Sequence, residues 1–468
     1  MRADVTGFFP NPPIVNEGYT QDINWNIFEG LSGFDGRYHL VPAVAERWHT
    51  PDPRTYVFEI REGQRFSDGT PVTAADVVAS LEAHASRNWV FRDFLQAIES
   101  VRAEGDRRVV IRTRAPYLIL LFKLPWGMIL PRSALREHPV PVVGTGPYKL
   151  ESWEPGKGFV LRRNAYYHGP APAFEVARFV VEPDAEKRLA QLRSGRADVV
   201  DHVPLERLAG LEQDASVRVH TGPGNRVLAL GLRMDVAPYS DPRVREALDL
   251  AIDRNELIVR ALHGRGEAAG QIVPRSIAGY NPAVTVTQPD RARARRLLAE
   301  AGFRDGLTLT LDGPNNRYVN DRQILEEVGR QLGEVGVRVE VRARDKAEFF
   351  RRRYAGEFTF FMLGWACQTG EAGEALDPLF HSVRPGLGSE NMFGLADAEV
   401  DRLIDAANSS DTAVDRLTQL RGALARIAEL RPILPLVVQP EAVAVSRSIH
   451  WEPPANYAFR LESLRPAR

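Results

Sequence analysis

Apolar residues recur along this chain with two different periods, and the switches between them mark out its elements. Residues 55–60 and 108–113 alternate apolar and polar side chains, which predicts half-buried strands; 159–162 and 177–181 read as further strands. Residues 3–10 read as a buried strand entering a Pro-rich loop. Residues 22–31 read as a short helix with Ile23, Ile27 and Phe28 on one face. Beyond residue 144, helical stripes alternate with strands. Asp184 caps a helix through Leu189 and Leu192 that stops at Gly195, and 197–200 follows as a strand. This β-α-β pattern predicts a partly parallel sheet. Asp241-Pro242 opens a helix by cap and N1 proline, with Val244, Leu248, Ala251 and Ile252 on one stripe. A second β-α-β unit runs from 307–311 through a helix near 322–332, stops at Gly336 and resumes at 337–341. Residues 399–428 are largely helical in pattern, and the tail alternates through PLVVQPEAVAVS. The segment 32–143 is α+β, bounded by Pro and Gly.

Two stretches carry dense turn-and-cap grammar. In Phe66-Ser-Asp-Gly-Thr-Pro-Val-Thr-Ala-Ala-Asp-Val-Val78, Asp68-Gly69 makes a tight turn. Thr73 and Asp76 form a capping-box start to a helix carrying Val77, Leu81 and His84. In Gly144-Thr-Gly-Pro-Tyr-Lys-Leu-Glu-Ser-Trp-Glu-Pro-Gly156, a Gly-rich crossing enters a strand. Neither stretch carries the pattern of a catalytic nucleophile, a metal cluster or a phosphate cradle.

Composition narrows the function. At 468 residues, two or three domains are expected. Lys and Arg number 60 against 61 Asp and Glu, so the net charge of −1 argues against a general nucleic-acid binder. Arg291, Arg293, Arg295 and Arg296 cluster at the start of an amphipathic helix and read as its solvated face. Cys367 is the only cysteine, so no internal disulfide forms. No run of 18 apolar residues is present. The histidines show no metal-ligand spacing, and no cofactor is expected. Cys367 and His381 lack a third orienting group, and a thiol at a strand end is more simply packing. Thr221–Asn225 lacks the Lys of a phosphate loop and reads as a loop beside a cleft.

As a set, RFSDGTPVTAADVV and GTGPYKLESWEPG…LRRNAYYHG resemble the extracellular solute-binding proteins of the peptide/nickel class, family 5, that feed ABC importers. The resemblance implies an α/β, two-lobe periplasmic-binding-protein fold (type II, cluster C) with an extra α+β domain in the first lobe. Carried onto this chain, residues 1–31, 144–235 and 441–468 form the first lobe, 32–143 the insert and 236–440 the second lobe. The implied function is capture of short peptides between lobes and delivery to an ABC permease in the inner membrane, without catalysis. It also implies a monomer at the periplasm or outer membrane face, whose export signal is absent from this chain. An amino-acid conjugate, opine, oligosaccharide or metal chelate is the alternative solute. A hydrolase using Glu371 and Glu374 is the alternative of another class, although carboxylates at i, i+3 point the same way and do not face each other across a substrate.

The most functional-looking segment runs from Phe360 to Phe380, where an apolar strand ends at Gly364-Trp365 and a Gly-rich loop leads into an acidic helix start. Ligands in open α/β sheets favour the carboxyl ends of strands, and a carboxylate beside a Trp face suits a cation. In peptide-binding relatives the acidic residue after W-x-x-x-x-G contacts the ligand's α-ammonium; here it is Glu371, with Trp365, Gln368, Thr369 and Gly370 around it. Gln368 stands where an Asp is frequent. The plain alternative is that Glu371 and Glu374 simply favour a helix N-terminus. The loop Gly313-Pro-Asn-Asn-Arg-Tyr-Val-Asn-Asp321 also joins a strand to a helix. There Arg317 suits a carboxylate and Asn316 supplies amide contacts, against the reading of an Asx-turn with a surface Arg. Tyr19 and Glu29 complete the candidate set, with Trp25, Trp153 and Phe28 divided between cleft and core.

Overall fold

In the computed structural model of the chain, the described residues are 1, 8–9, 20, 23–86, 97–384, 386–454 and 459–467. The expected strand at 3–10 and candidate Tyr19 lie outside them, apart from Phe8 and Phe9. The chain divides into two compact units. Unit 1 comprises Met1–His220, Ser409–Asp411 and Ala442–Arg468; unit 2 comprises Thr221–Asn408 and Thr412–Glu441. The chain passes from the first unit to the second inside the strand Val217–Leu232 and returns inside the strand Ile433–Ser446.

Unit 1 carries a four-stranded antiparallel sheet in the order Ala45–Asp52, Thr55–Ile60, Arg108–Thr113, Ile98–Glu104, and a three-stranded one, Tyr148–Glu154, Gly158–Arg163, Val176–Val180. The alternation of Thr55–Ile60 and Arg108–Thr113 puts Tyr56, Phe58, Val109 and Ile111 into the core. Helix Ala74–Ser86 starts as its sequence predicts. Asp76 Oδ2 accepts from the Thr73 N–H at 2.9 Å and from the Thr73 hydroxyl at 2.6 Å, and its other oxygen accepts from Arg132 N–H at 2.9 Å. The two sequence stretches meet: Ser67 N–H donates to the Gly144 carbonyl at 2.8 Å. Gly144 and Gly146 lie so close to Ile27 that a Cβ on either would strike its backbone. One hydrophobic core collects Phe28, Phe58, Leu81, Trp126, Tyr148, Phe159 and Trp451, drawing on the expected insert and first-lobe segments alike.

Three sequence expectations are corrected here. The helix expected over 22–31 ends early: Thr20, Ile23 and Asn24 are helical, a turn runs to Ile27, and 28–30 are irregular. Asn26 is drawn elsewhere, its carbonyl accepting from Tyr148 N–H at 2.9 Å and its side-chain oxygen from Leu461 N–H at 2.8 Å. The first β-α-β unit does not form. Helix Ala185–Arg193 is capped by Asp184 as expected, but Val176–Val180 pairs with Gly158–Arg163, while Val199–Val200 pairs antiparallel with Ala444 and Val445. Thr221–Asn225 is strand, not loop, because long-range pairing of Val217–Leu232 overrides its turn residues.

In unit 2, Leu307–Pro314 and Val337–Arg344 pair in parallel through helix Asp321–Gly333, which is the second β-α-β unit as predicted. Phe360–Ala366 lies parallel to Leu307–Pro314 and antiparallel to Val217–Leu232. Asp241 caps helix Pro242–Ala251 and buries Val244, Leu248 and Ala251. The arginine-rich helix Arg291–Glu300 keeps Arg293, Arg295 and Arg296 exposed on a solvated face, where Arg293 pairs with Glu246, while the partly buried Arg291 pairs with Glu256 and Glu334.

Candidate functional site

Because Leu307–Pro314 and Phe360–Ala366 run parallel, the loops that follow them leave the same edge of the unit 2 sheet. These are the loops that hold the two main sequence candidates. Glu371 and Arg317 therefore share an edge, as the carboxyl-end rule for open sheets requires.

The loop after Phe360–Ala366 is tightly tied. Gly370 takes a positive φ of 75°, which favours glycine, and its carbonyl accepts from Ala278 N–H at 2.9 Å. Thr369 gives its N–H and its hydroxyl to Glu374 Oε2, at 2.6 and 2.8 Å. Glu374 thus caps the loop ahead of helix Gly373–Phe380. Glu371 is buried and already partnered. Arg416, from helix Ala413–Leu430, gives Nε to Oε1 at 2.5 Å and Nη2 to Oε2 at 2.9 Å, and Gly373 N–H adds a third bond at 3.1 Å. Gly373 is required there, since a Cβ would come within 2.7 Å of the Glu371 carboxylate. Trp365 is partly buried; alternation puts it on the sheet face opposite Gly364, and its indole N–H has no partner. Gln368 is half-buried on the same loop. Cys367 is fully buried, which pushes its thiol well up, with Glu374 and Glu371 adding to the effect; this disfavours the thiolate that a nucleophile needs. His381 is turned to the Ser382 carbonyl at 2.7 Å and lies 3.5 Å from Asp401.

In the neighbouring loop, Asp321 Oδ2 reaches back to accept from the N–H groups of Arg317 and Tyr318 at 2.9 and 3.0 Å, which fixes the loop backbone. Asn316 ties the loop to Asp345 Oδ2 at 2.7 Å and to Lys346 N–H at 2.8 Å, so both ends of its amide are engaged. The Arg317 guanidinium has no carboxylate partner among the described residues; it stacks 5.7 Å from the Tyr318 ring centroid. Arg226 reaches the same ring at 5.9 Å and donates to the Gly364 carbonyl at 3.2 Å. The ring lies over Gly364, where a Cβ would come within 2.6 Å of it.

Glu29 belongs to unit 1. Burial pushes its carboxyl up to about 8, with Thr145 acting in the opposite direction and Glu462 in the same one. Its Oε2 lies 3.7 Å from His168 Nδ1. Trp25 belongs to the core, tilted against Trp126 with ring centroids 4.2 Å apart. Arg416, Tyr318, Arg226, Thr145 and His168 were not singled out from the sequence. A signal for Arg416 existed: it occupies the apolar stripe that continues through Leu420, Ala423 and Ile427.

Among the described residues, no group of three or more His, Cys, Asp or Glu is placed to hold a metal ion, and no helix is long and apolar enough to cross a membrane.

Residues 39–386 match the family described as bacterial extracellular solute-binding proteins, family 5 middle. The glutathione-binding protein GsiB of Escherichia coli K12 is 28% identical over 455 residues, covering 94% of this chain and 88% of the relative. The fold matches the periplasmic binding protein DppA from Helicobacter pylori in complex with the peptide STSA at a TM-score of 0.86, with 20% identity over 100% of this chain and 97% of that one. It also matches NikA from Brucella suis in complex with Fe(III)-EDTA at 0.88, with 22% identity over 100% and 98%. The mixed α/β architecture is therefore that of the periplasmic binding proteins.

Proposed function

Since the chain belongs to the family 5 bacterial extracellular solute-binding proteins, we propose that it captures a short peptide or peptide-like solute outside the cytoplasm and hands it to an ABC permease. Family membership supports capture and delivery as the general role. The peptide assignment draws on the 28% identity to a glutathione-binding protein across nearly the whole chain. In this reading the protein acts as a monomer.

The observation that carries the assignment is Arg317, a guanidinium on a strand-edge loop with no carboxylate of its own among the described residues. A free C-terminal carboxylate fits that fork through two parallel bonds. Binding is favoured over hydrolysis because Glu371 and Glu374, the carboxylates a hydrolase would use, are engaged by Arg416 and Thr369.

The test is mass spectrometry of solute carried through purification and released by denaturation, followed by calorimetry with the compound found. A short peptide or glutathione-like molecule upholds the reading. An opine, a sugar or a metal chelate replaces it, and turnover of the released compound on incubation moves the protein to another class.

A further inference from the structure

We propose that a crevice at the C-terminal end of helix Ala413–Leu430, in unit 2, binds a short-chain monocarboxylate of acetate or propionate size. The site is separate from the sheet edge that carries Arg317.

The helix ends at Arg431, which takes a positive φ of 54°. Glycine is usual in that position, so an arginine stands there at some conformational cost. Arg431 lines a crevice together with Asp249, residues 270–272, Thr287 and Ile433. The crevice leaves about 50 Å³ open to the centre of a water-sized sphere. One water needs about 10–15 Å³ on that measure, so roughly three to five non-hydrogen atoms fit. Arg431 keeps 29% of its side chain exposed, and Thr285, which also lines the crevice, is exposed; the space is therefore open to solvent.

The polar groups around it favour an anion. Arg254 is engaged within the protein: Nε on the Pro435 carbonyl at 3.0 Å, Nη1 on the Asp249 and Ile252 carbonyls at 2.9 Å each, and Nη2 on Asp249 Oδ1. The other Asp249 oxygen accepts from the Thr287 hydroxyl at 2.7 Å and from Arg431 Nε at 3.3 Å. Both oxygens of this carboxylate are thus taken. Arg431 Nη1 reaches the Glu429 carbonyl at 3.2 Å, and its Nη2 has no acceptor among the described residues. Arg245 donates to the Leu430 carbonyl at 2.9 Å; burial, and then the nearby Arg431 charge, lower its hold on its proton. The Glu429 side chain is paired with Arg426 at 3.0 Å. Three guanidinium groups therefore stand around one carboxylate, a positive excess that attracts an anion.

The backbone adds donors. The N–H groups of Gly270, Gln271 and Ile272, just past strand Glu267–Ala268, find no acceptor among the described residues, although Gln271 and Ile272 are buried. Buried N–H groups are nearly always paired. The Gln271 amide accepts from Asn281 N–H at 3.0 Å and donates to the Asn281 carbonyl at 2.8 Å, which pins this segment. The remaining walls, Ile272, Leu424, Ile427, Ala428 and Ile433, are apolar. A carboxylate suits the guanidinium and the N–H groups, and a body of one or two carbons covers the walls. A bare halide would lose hydration against those walls with less return.

The crevice is distant from the Arg317 loop. Gln439 accepts from Val319 N–H of that loop at 3.4 Å, whereas Ile433 and Pro435 lie at the start of the same strand, Ile433–Ser446. The intervening strand spans about 13–20 Å.

Nuclear magnetic resonance of the isotope-labelled full-length chain, with sodium propionate as probe, tests the site. The backbone amide signals of Gly270, Gln271 and Ile272 should shift saturably, with a Kd of about 1–50 mM, a range open to five non-hydrogen atoms. Propionamide, which has the shape without the charge, should not shift them, nor should sodium chloride at equal ionic strength. Arg431→Gln should weaken propionate binding about tenfold or more, the loss expected for a bond between charged groups. No shift of these amides up to roughly 200 mM propionate, an equal response to propionamide or chloride, unchanged affinity in Arg431→Gln, or shifts confined to residues 313–321 would each overturn the assignment. If Arg431→Gln fails to fold, the comparison of propionate, propionamide and chloride on the wild-type chain still decides.

Discussion

Arg416 grips both carboxylate oxygens of Glu371, at 2.5 and 2.9 Å, with each side chain only 5% exposed. The pair joins the loop after Phe360–Ala366 to helix Ala413–Leu430, and Arg416 continues to the Ala407 carbonyl and Asn408 Oδ1. Arg416→Met strands a buried carboxylate and should cost about 3–5 kcal/mol. Denaturant unfolding of Arg416→Met, Glu371→Leu and the double variant measures it. The double variant should lose clearly less than the two single losses combined. Additive losses would mean that the pair is not coupled.

Arg317→Lys keeps the charge but removes the fork. Binding of a free-acid peptide should weaken by about 1.5–3 kcal/mol, the worth of a hydrogen bond to a charged group, while the C-terminal amide of the same peptide should scarcely change. Calorimetry with both forms checks this. Equal losses would make Arg317 a support for its own loop.

Gly364→Ala places a methyl group against the Tyr318 ring and within 2.8 Å of Leu228. Overpacking of this kind costs about 1–3 kcal/mol. Since Arg317 and Arg226 both lie against that ring, the variant should also weaken binding of free-acid peptides. A melting curve and a titration separate the two effects. Unchanged affinity would detach the ring from the site.

His84 is fully buried, stacked on Phe9 at 5.0 Å and facing the Met128 carbonyl at 3.2 Å. Burial holds it down to about 4, against 6.5 for the free side chain. The unfolded chain therefore binds a proton that the folded chain refuses between these values. Its contribution is full above pH 6.5 and is lost as pH falls toward 4, by about 3 kcal/mol in all. His84→Phe should flatten that part of the stability–pH curve in denaturant titrations at pH 7 and pH 4.5. An unchanged slope would assign the acid sensitivity elsewhere, for example to His168.

Much of the chain's local grammar was legible in its residues. Thr73 with Asp76, Asp184, and Asp241 with Pro242 start helices where the sequence places them, because caps and fixed backbone angles act within one turn. The parallel pairing of Leu307–Pro314 with Val337–Arg344 was legible as well, because one helix and a glycine stop separate the strands. The carboxyl-end position of the Glu371 and Arg317 loops followed from the same pattern. What the sequence could not show was any relation whose partners lie far apart along the chain. Val199–Val200 pairs with a strand near residue 445, Thr221–Asn225 is drawn into a ladder, and Asn26 is bonded to residues 148 and 461. Partnering of charges belongs to the same class: Glu371 read as open to an ammonium until helix Ala413–Leu430 brought Arg416 to it, and Glu29 gained His168 and Thr145 only through the fold. Local propensity sets a residue's backbone, but burial and the choice of partner depend on which distant segment arrives beside it, and only the tertiary structure decided that.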